Sequence, residues 1–213
     1  MASPAVLSRV DHLVYATADL DRGMAEVEQL LGIRATLGGQ HPAWGTRNAL
    51  VALGRTCYLE IISADPDLLP GSGGRPFGLD VDGPSRLVAW AANGSRLESL
   101  RDEAAQHGIE LGSVLAGSRR RPDGALLAWQ LTDLRCVVAD GIVPFFIDWG
   151  QSPHPALTAS QGATLLELCA EHPDADRVRR ILRGIALGLA VEAGPAPALI
   201  AQIDCPKGRV VLR

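Results

Sequence analysis

One carboxylate stands inside an otherwise apolar run: Glu60 in "CYLEII", residues 57–62. A carboxylate flanked by Leu59 and Ile61 is costly to bury without a partner. Strand alternation gives it a way out, because Tyr58, Glu60 and Ile62 share one face while Leu59 and Ile61 share the other. The Glu60 face then looks at water, at a salt-bridge partner or at a metal. Just upstream, "HPAWGT" (41–46) reads as a loop in which Gly45 permits a tight turn, with His41 and Trp44 placed to lean over that face. Arg47 and Asn48 alternate along the next strand, so one of the two points the same way.

The composition narrows the chemistry. The 213-residue chain has a formal net charge of -4, which argues against nucleic acid as a main partner. Its one basic cluster, Arg119-Arg120-Arg121 before "PDG", reads as a solvated loop or hairpin tip, with an anion contact as the alternative. No apolar run reaches membrane-spanning length, and "MASPAVLSRVDH" lacks a signal-peptide pattern. Cys57, Cys136, Cys169 and Cys205 form no CxxC pair and read as reduced thiols of a cytoplasmic protein. There is no GxSxG, Walker loop or HExxH sequence. "GSGGRPFG" (71–78) precedes no helix and reads as a loop.

Positioning these residues requires a repeated α+β pattern. Periodicity gives strand, helix, then two or three strands, and the order recurs three times. Residues 1–63 form the first unit: "RVDHLVYATADL" runs into a helix near Asp19 with Met24, Val27, Leu30 and Leu31 as its buried stripe and Gly32 as its stop. Residues 85–149 form the second, with a capping box from Ser95 to Glu98 expected at its helix. Residues 163–213 form a third, βαβββ-like unit, in which Asp174 caps a helix carrying Val178, Ile181, Leu182, Ile185 and Leu189 on one side. A single βαβββ unit cannot bury both faces of its sheet. Two side by side make a curved mixed sheet around a concave cleft. The third must pack on the first two or pair with its copy in a homodimer.

The paired units, with a histidine entering the first strand ("DHLVYATADL", His12) and a glutamate in the fourth ("YLEIIS", Glu60), resemble the vicinal oxygen chelate superfamily and its glyoxalase-like branch. "HPAWGTRNALVALG" and "PFFIDWG" extend the resemblance over residues 10–149. The resemblance implies a divalent metal (Zn, Fe, Mn or Ni) in the cup, holding a substrate by two neighbouring oxygens. It makes His12 and Glu60 metal ligands with the set completed from the second unit, and His41 is the best candidate for a third ligand. It also favours Asn48 over Arg47 as the inward residue able to hydrogen-bond a ligand oxygen. Superposing "SRLVAWA" on "DHLVYAT" puts Arg86 at the position of His12, and "PFFIDW" on "CYLEII" puts Phe146 or Ile147 at that of Glu60. The second unit thus lacks both ligands unless Asp148 faces inward. In the third unit Glu167 falls at the His12 position.

Two functions stay open on these residues. One is an enzyme acting on a small oxygenated, anionic metabolite by metal-assisted lyase, isomerase or dioxygenase chemistry. In it Glu60 is ligand or general base, Arg86 anchors the anion, and Asn48, His41 and Trp44 contact the substrate. The other is a metal-free protein that binds or sequesters a small molecule in the same cup, with Glu60 paired to Arg86. A structural module whose cup its own side chains fill is the remaining alternative.

Overall fold

The structure, a computed structural model, describes residues 4–70, 74–81, 83–120, 124 and 126–213. Arg121 of the basic cluster and residues 71–73 of the glycine-rich loop lie outside the described residues. The elements run α1 (Pro4–Leu7), β1 (Val10–Ala16), α2 (Leu20–Leu31), β2 (Thr36–His41), β3 (Thr46–Ala52) and β4 (Tyr58–Ala64). Then come β5 (Arg86–Asn93), α3 (Leu97–Gln106), β6 (Val114–Arg120), β7 (Leu126–Thr132) and β8 (Phe145–Asp148). The last group is β9 (Thr164–His172), α4 (Ala175–Gly184), β10 (Ala190–Ala193), β11 (Ala198–Cys205) and β12 (Gly208–Leu212). Among the described residues no helix is long and apolar enough to cross a membrane, and all four cysteines are free thiols.

Helix starts follow local chemistry. The Asp19 and Asp174 carboxylates accept the Arg22 and Arg177 amides and so satisfy free N–H groups of α2 and α4. Gly32 closes α2 in the left-handed region at φ 71. The capping box expected from Ser95 is not made: Arg96 occupies the cap at φ 53, and no side chain satisfies that helix start. α4, the helix of the third unit, also ends sooner than its apolar spacing suggests. Past Gly184 the chain turns through Ala186 at φ 54, and Leu187 and Leu189 are buried outside the helix.

The larger sheet has the order β2-β3-β4-β1-β5-β8-β7-β6, which reads as one unit and then its mirror order about the β1/β5 junction. Its outer strands β2 and β6 come back alongside each other, so the sheet curls into a nearly closed cup. β1 is buried along its whole length because both its faces are covered. Leu13 and Tyr15 pack with α2 and α3 residues in the main core, while His12 and Val14 face the cup. Trp90 and Phe146, fully buried on the core side of the second unit, anchor it there. The Trp90 indole N–H donates to the Ile142 carbonyl at 2.8 Å and leaves no polar atom stranded.

The last four strands form a separate sheet, β10-β9-β11-β12. The third unit packs on the first two. Leu168, Leu199, Ile203 and Leu212 of that sheet join Val27, Leu31 and Trp90 in one continuous core.

Candidate active site

The cup holds a cavity with about 460 Å3 of empty space, part of it open to solvent. The first unit lines one side with His12 of β1, Asn48 of β3, and Tyr58 and Glu60 of β4. His41, Trp44 and Thr46 stand at the β2–β3 turn. The second lines the other with Arg119, Trp129, Leu131, Phe145, Ile147 and Trp149.

Glu60 is 7% exposed and faces into this cavity. The Asn48 amide donates to its Oε1, and His12 Nε2 stands 3.8 Å from its Oε2. His12 is fixed from behind by Asp11, whose Oδ1 accepts its Nδ1–H at 2.8 Å. The imidazole also stacks on Tyr58 with ring centroids 4.6 Å apart. Asp11 is itself buried and heavily used. Its Oδ2 accepts from the Trp149 indole at 3.0 Å and from His154 Nε2 at 3.2 Å. Burial alone would raise the Asp11 carboxyl; the hydrogen bonds and charges of His12 and His154 outweigh it and hold the group below its ordinary value. A carboxylate there keeps the proton on His12 Nδ1 and turns Nε2 toward the cavity.

On the other flank, His41 Nε2 lies 3.4 Å from the Asn48 amide nitrogen and Nδ1 lies 3.0 Å from Thr46 Oγ1. Burial drives the His41 imidazole down to about 4; the Glu60 charge opposes this, and those of Arg119 and His12 add to it. It is therefore neutral at pH 7, accepting from Asn48 and donating to Thr46. Burial raises the Tyr58 phenol well above 10, with the Glu60 charge adding to it, so Tyr58 stays un-ionised beside His12. Thr46, His41, Asn48, Glu60, His12 and Asp11 thus form one chain of polar groups along the first unit.

Arg86 is not part of it. Its side chain is exposed and donates to the Pro84 carbonyl at 3.3 Å. The reason is register. In the parallel β1/β4 pair His12 lies beside Tyr58, and in the corresponding β5/β8 pair Ala91 lies beside Phe145. With "PFFIDW" laid on "CYLEII", Phe145 matches Tyr58, so the second-unit match of His12 is Ala91 and that of Glu60 is Ile147. Arg86 instead pairs with Ala16 at the far end of β1, past a bulge between Val14 and Tyr15. Asp148 does not line the cavity, and Glu167 lies on β9 of the other sheet.

The arginine that does line the cavity is Arg119, 5% exposed, from the cluster read as a hairpin tip. It lies within β6 and reaches the cup because the sheet curls until β6 meets β2. Two glycines make the approach possible. A Cβ on Gly38 would strike the Asn48 carboxamide and the Arg119 guanidinium, and one on Gly117 would strike the Trp129 indole. Asn48 Oδ1 is buried without a hydrogen-bond partner among the described residues, an acceptor left open at the cavity wall.

Of the three metal ligands expected, His12 and Glu60 face each other. The fixed Nδ1 of His12 suits a metal-bound imidazole. The rest of the set does not follow: His41 Nε2 is taken by Asn48, the second unit offers Ala91 and Ile147, and no three His, Cys, Asp or Glu residues gather into a metal-holding group among the described residues. These side chains do not fit a protein-chelated metal.

A family profile described as a glyoxalase-like domain matches residues 10–186. No curated protein matches the sequence. Among solved structures, a hypothetical protein from Staphylococcus aureus superposes with a TM-score of 0.66 at 14% identity, over 95% of this chain and 83% of that one. Methylmalonyl-CoA epimerase from Mycobacterium tuberculosis superposes at 0.44 with 18% identity, over 70% and 93%. At these identities the likeness is one of fold.

Proposed function

This chain belongs to the glyoxalase-like domain family, and from that premise we propose that it is a proton-transferring enzyme, an isomerase or lyase, acting on a small 2-oxo or 2-hydroxy acid. The observation that carries the reading is Glu60: a buried carboxylate facing a cavity, one oxygen held by Asn48 and the other 3.8 Å from His12 Nε2.

The roles follow from the geometry. Arg119 holds the substrate carboxylate with two-pronged hydrogen bonds, and the Asn48 amide keeps the Glu60 carboxyl in place. Glu60 Oε2 takes the proton from the carbon next to the substrate carbonyl, and the C–H electron pair moves into an enolate. Where the reacting carbon carries a hydroxyl, His12 Nε2, unprotonated and aimed by Asp11, takes the hydroxyl proton and returns it to the enolate oxygen. Return of a proton to either carbon yields the isomer, and loss of a neighbouring leaving group yields the lyase outcome. Tyr58, His41 and Trp44 wall the site and exclude water; His41, being neutral, adds no competing charge. No step needs a metal, in keeping with the missing donors of the second unit.

The test is solvent exchange. Incubated with 2-oxobutanoate in D2O, the protein should place deuterium at C3, seen as loss of the proton signal by NMR. The Glu60→Gln protein should not. A second reading, a binding protein without turnover, is favoured by the apolar second half of the cup. It predicts saturable 2-oxobutanoate binding with no exchange above solvent.

A further inference from the structure

A second cavity, with about 1040 Å3 of empty space partly open to solvent, adjoins the first. Phe77, Leu134 and Phe145 line both. The partition between them is the pair of rings of Phe77 and Phe145, with centroids 6.0 Å apart. Phe77 sits at φ 63, a left-handed backbone that a bulky residue rarely adopts. The floor of the second chamber is Leu87, Val88 and Ala89 of β5, and one wall is Pro197, Ala198 and Leu199 of the third unit. Its charged residues are Arg86, Asp133 and Asp140. Asp140 is engaged by His172 at 3.1 Å, and Asp133 by the Arg135 amide at 3.0 Å.

We infer that this chamber is a substrate subsite for an apolar tail, and that the third unit is present to wall it. The inference rests on the 2-oxo or 2-hydroxy acid reading of the Glu60 site and deepens it: the substrate is a medium-chain acid. Glu60 lies beside Val14, and Val14 beside Ala89. Two strand spacings make that distance about 10 Å, the length of a chain of about eight carbons. A head group at Glu60, His12 and Arg119 therefore sends its chain between Phe77 and Phe145 onto the apolar floor. Val14, Ile62 and Ala89 lie buried beneath Phe77 and Phe145 without a polar atom in their side chains, so the chain enters by parting the two rings. The Arg86 end stays in water.

The experiment compares 2-oxobutanoate with 2-oxodecanoate by calorimetric titration of the full chain. Tighter binding of the longer acid by at least tenfold is expected, since each buried methylene adds to affinity. In Ala198→Trp, where the new indole fills the tail chamber, the ratio of the two affinities should fall to about one. Should that variant misfold, NMR on the unaltered protein decides instead: the terminal methyl of 2-oxodecanoate should show cross-relaxation to the Leu199 methyls. Equal affinity for both acids, or no contact at Leu199, would overturn the tail subsite while leaving the head-group reading intact. Binding of neither acid would remove both.

Discussion

The two halves of the cup use the same strands in mirrored order and carry opposite chemistry. The first unit places His12, Glu60, Asn48 and His41 on its concave face. At the matching positions the second places Ala91 and Ile147, with Leu131 and Trp129 beside them and Arg119 as its one cation among the described residues. Duplication of a βαβββ unit preserves backbone positions and leaves their chemistry free to diverge. A polar half can move protons. An apolar half lowers the dielectric around it and supplies a single charge to orient the substrate.

Breaking the polar half should cost most. Glu60→Gln keeps the size of the side chain and removes the base, so deuterium incorporation into 2-oxobutanoate should drop by about 1000-fold. A drop below tenfold would mean that the first unit is not where the chemistry sits. Circular dichroism checks that the variant is folded.

Acid should weaken the same half next. The His41 imidazole is held down to about 4, against an ordinary 6.5, so the unfolded chain binds its proton first as pH falls. Stability is complete above pH 6.5 and declines as pH drops toward 4, by up to about 3 kcal/mol from this one group. Urea unfolding across that range should show the decline, and His41→Gln should flatten it.

The apolar half is probed through its cation. Arg119→Gln should weaken 2-oxobutanoate binding by about 2 kcal/mol, roughly 30-fold, without abolishing exchange at saturating substrate. Calorimetry and NMR separate the two effects. The smallest change is expected behind the site. Asp11→Asn leaves His12 free to turn or change tautomer, and should lower the exchange rate about tenfold while altering its pH profile. A role for Asp11 in folding alone would lower stability and leave the profile unmoved.

Much of this was legible in the sequence, and the failures share one cause. The strand–helix–strand order, the inward turn of Asn48 and the pairing of His12 with Glu60 follow from alternation and from a family resemblance, both local in sequence. Arg86 was placed in the cup because the two motifs were superposed five residues away from the match that the strand pairs give, and Arg86 lies at the far end of β5 beside Ala16. Arg119 was read as part of a solvated loop or hairpin tip, with an anion contact only as the alternative, because nothing near it in sequence shows that the sheet closes on itself. The approach of Arg119 to Asn48 needs Gly38, about eighty residues upstream, to have no side chain. Asp11 precedes His12 directly, yet its importance comes from Trp149 and His154 at the other end of the domain. Alternation alone sends it to the opposite face.

The central claim is that protein side chains on one half of the cup carry the proton transfer. The most direct measurement is C3 deuterium exchange by protein stripped with a strong chelator and checked by elemental analysis. The account predicts a rate within about twofold of the untreated protein. Exchange that disappears on stripping and returns with Mn, Fe, Ni or Zn would contradict it, and would mean that His12 and Glu60 hold a metal whose remaining ligands come from the substrate or from water.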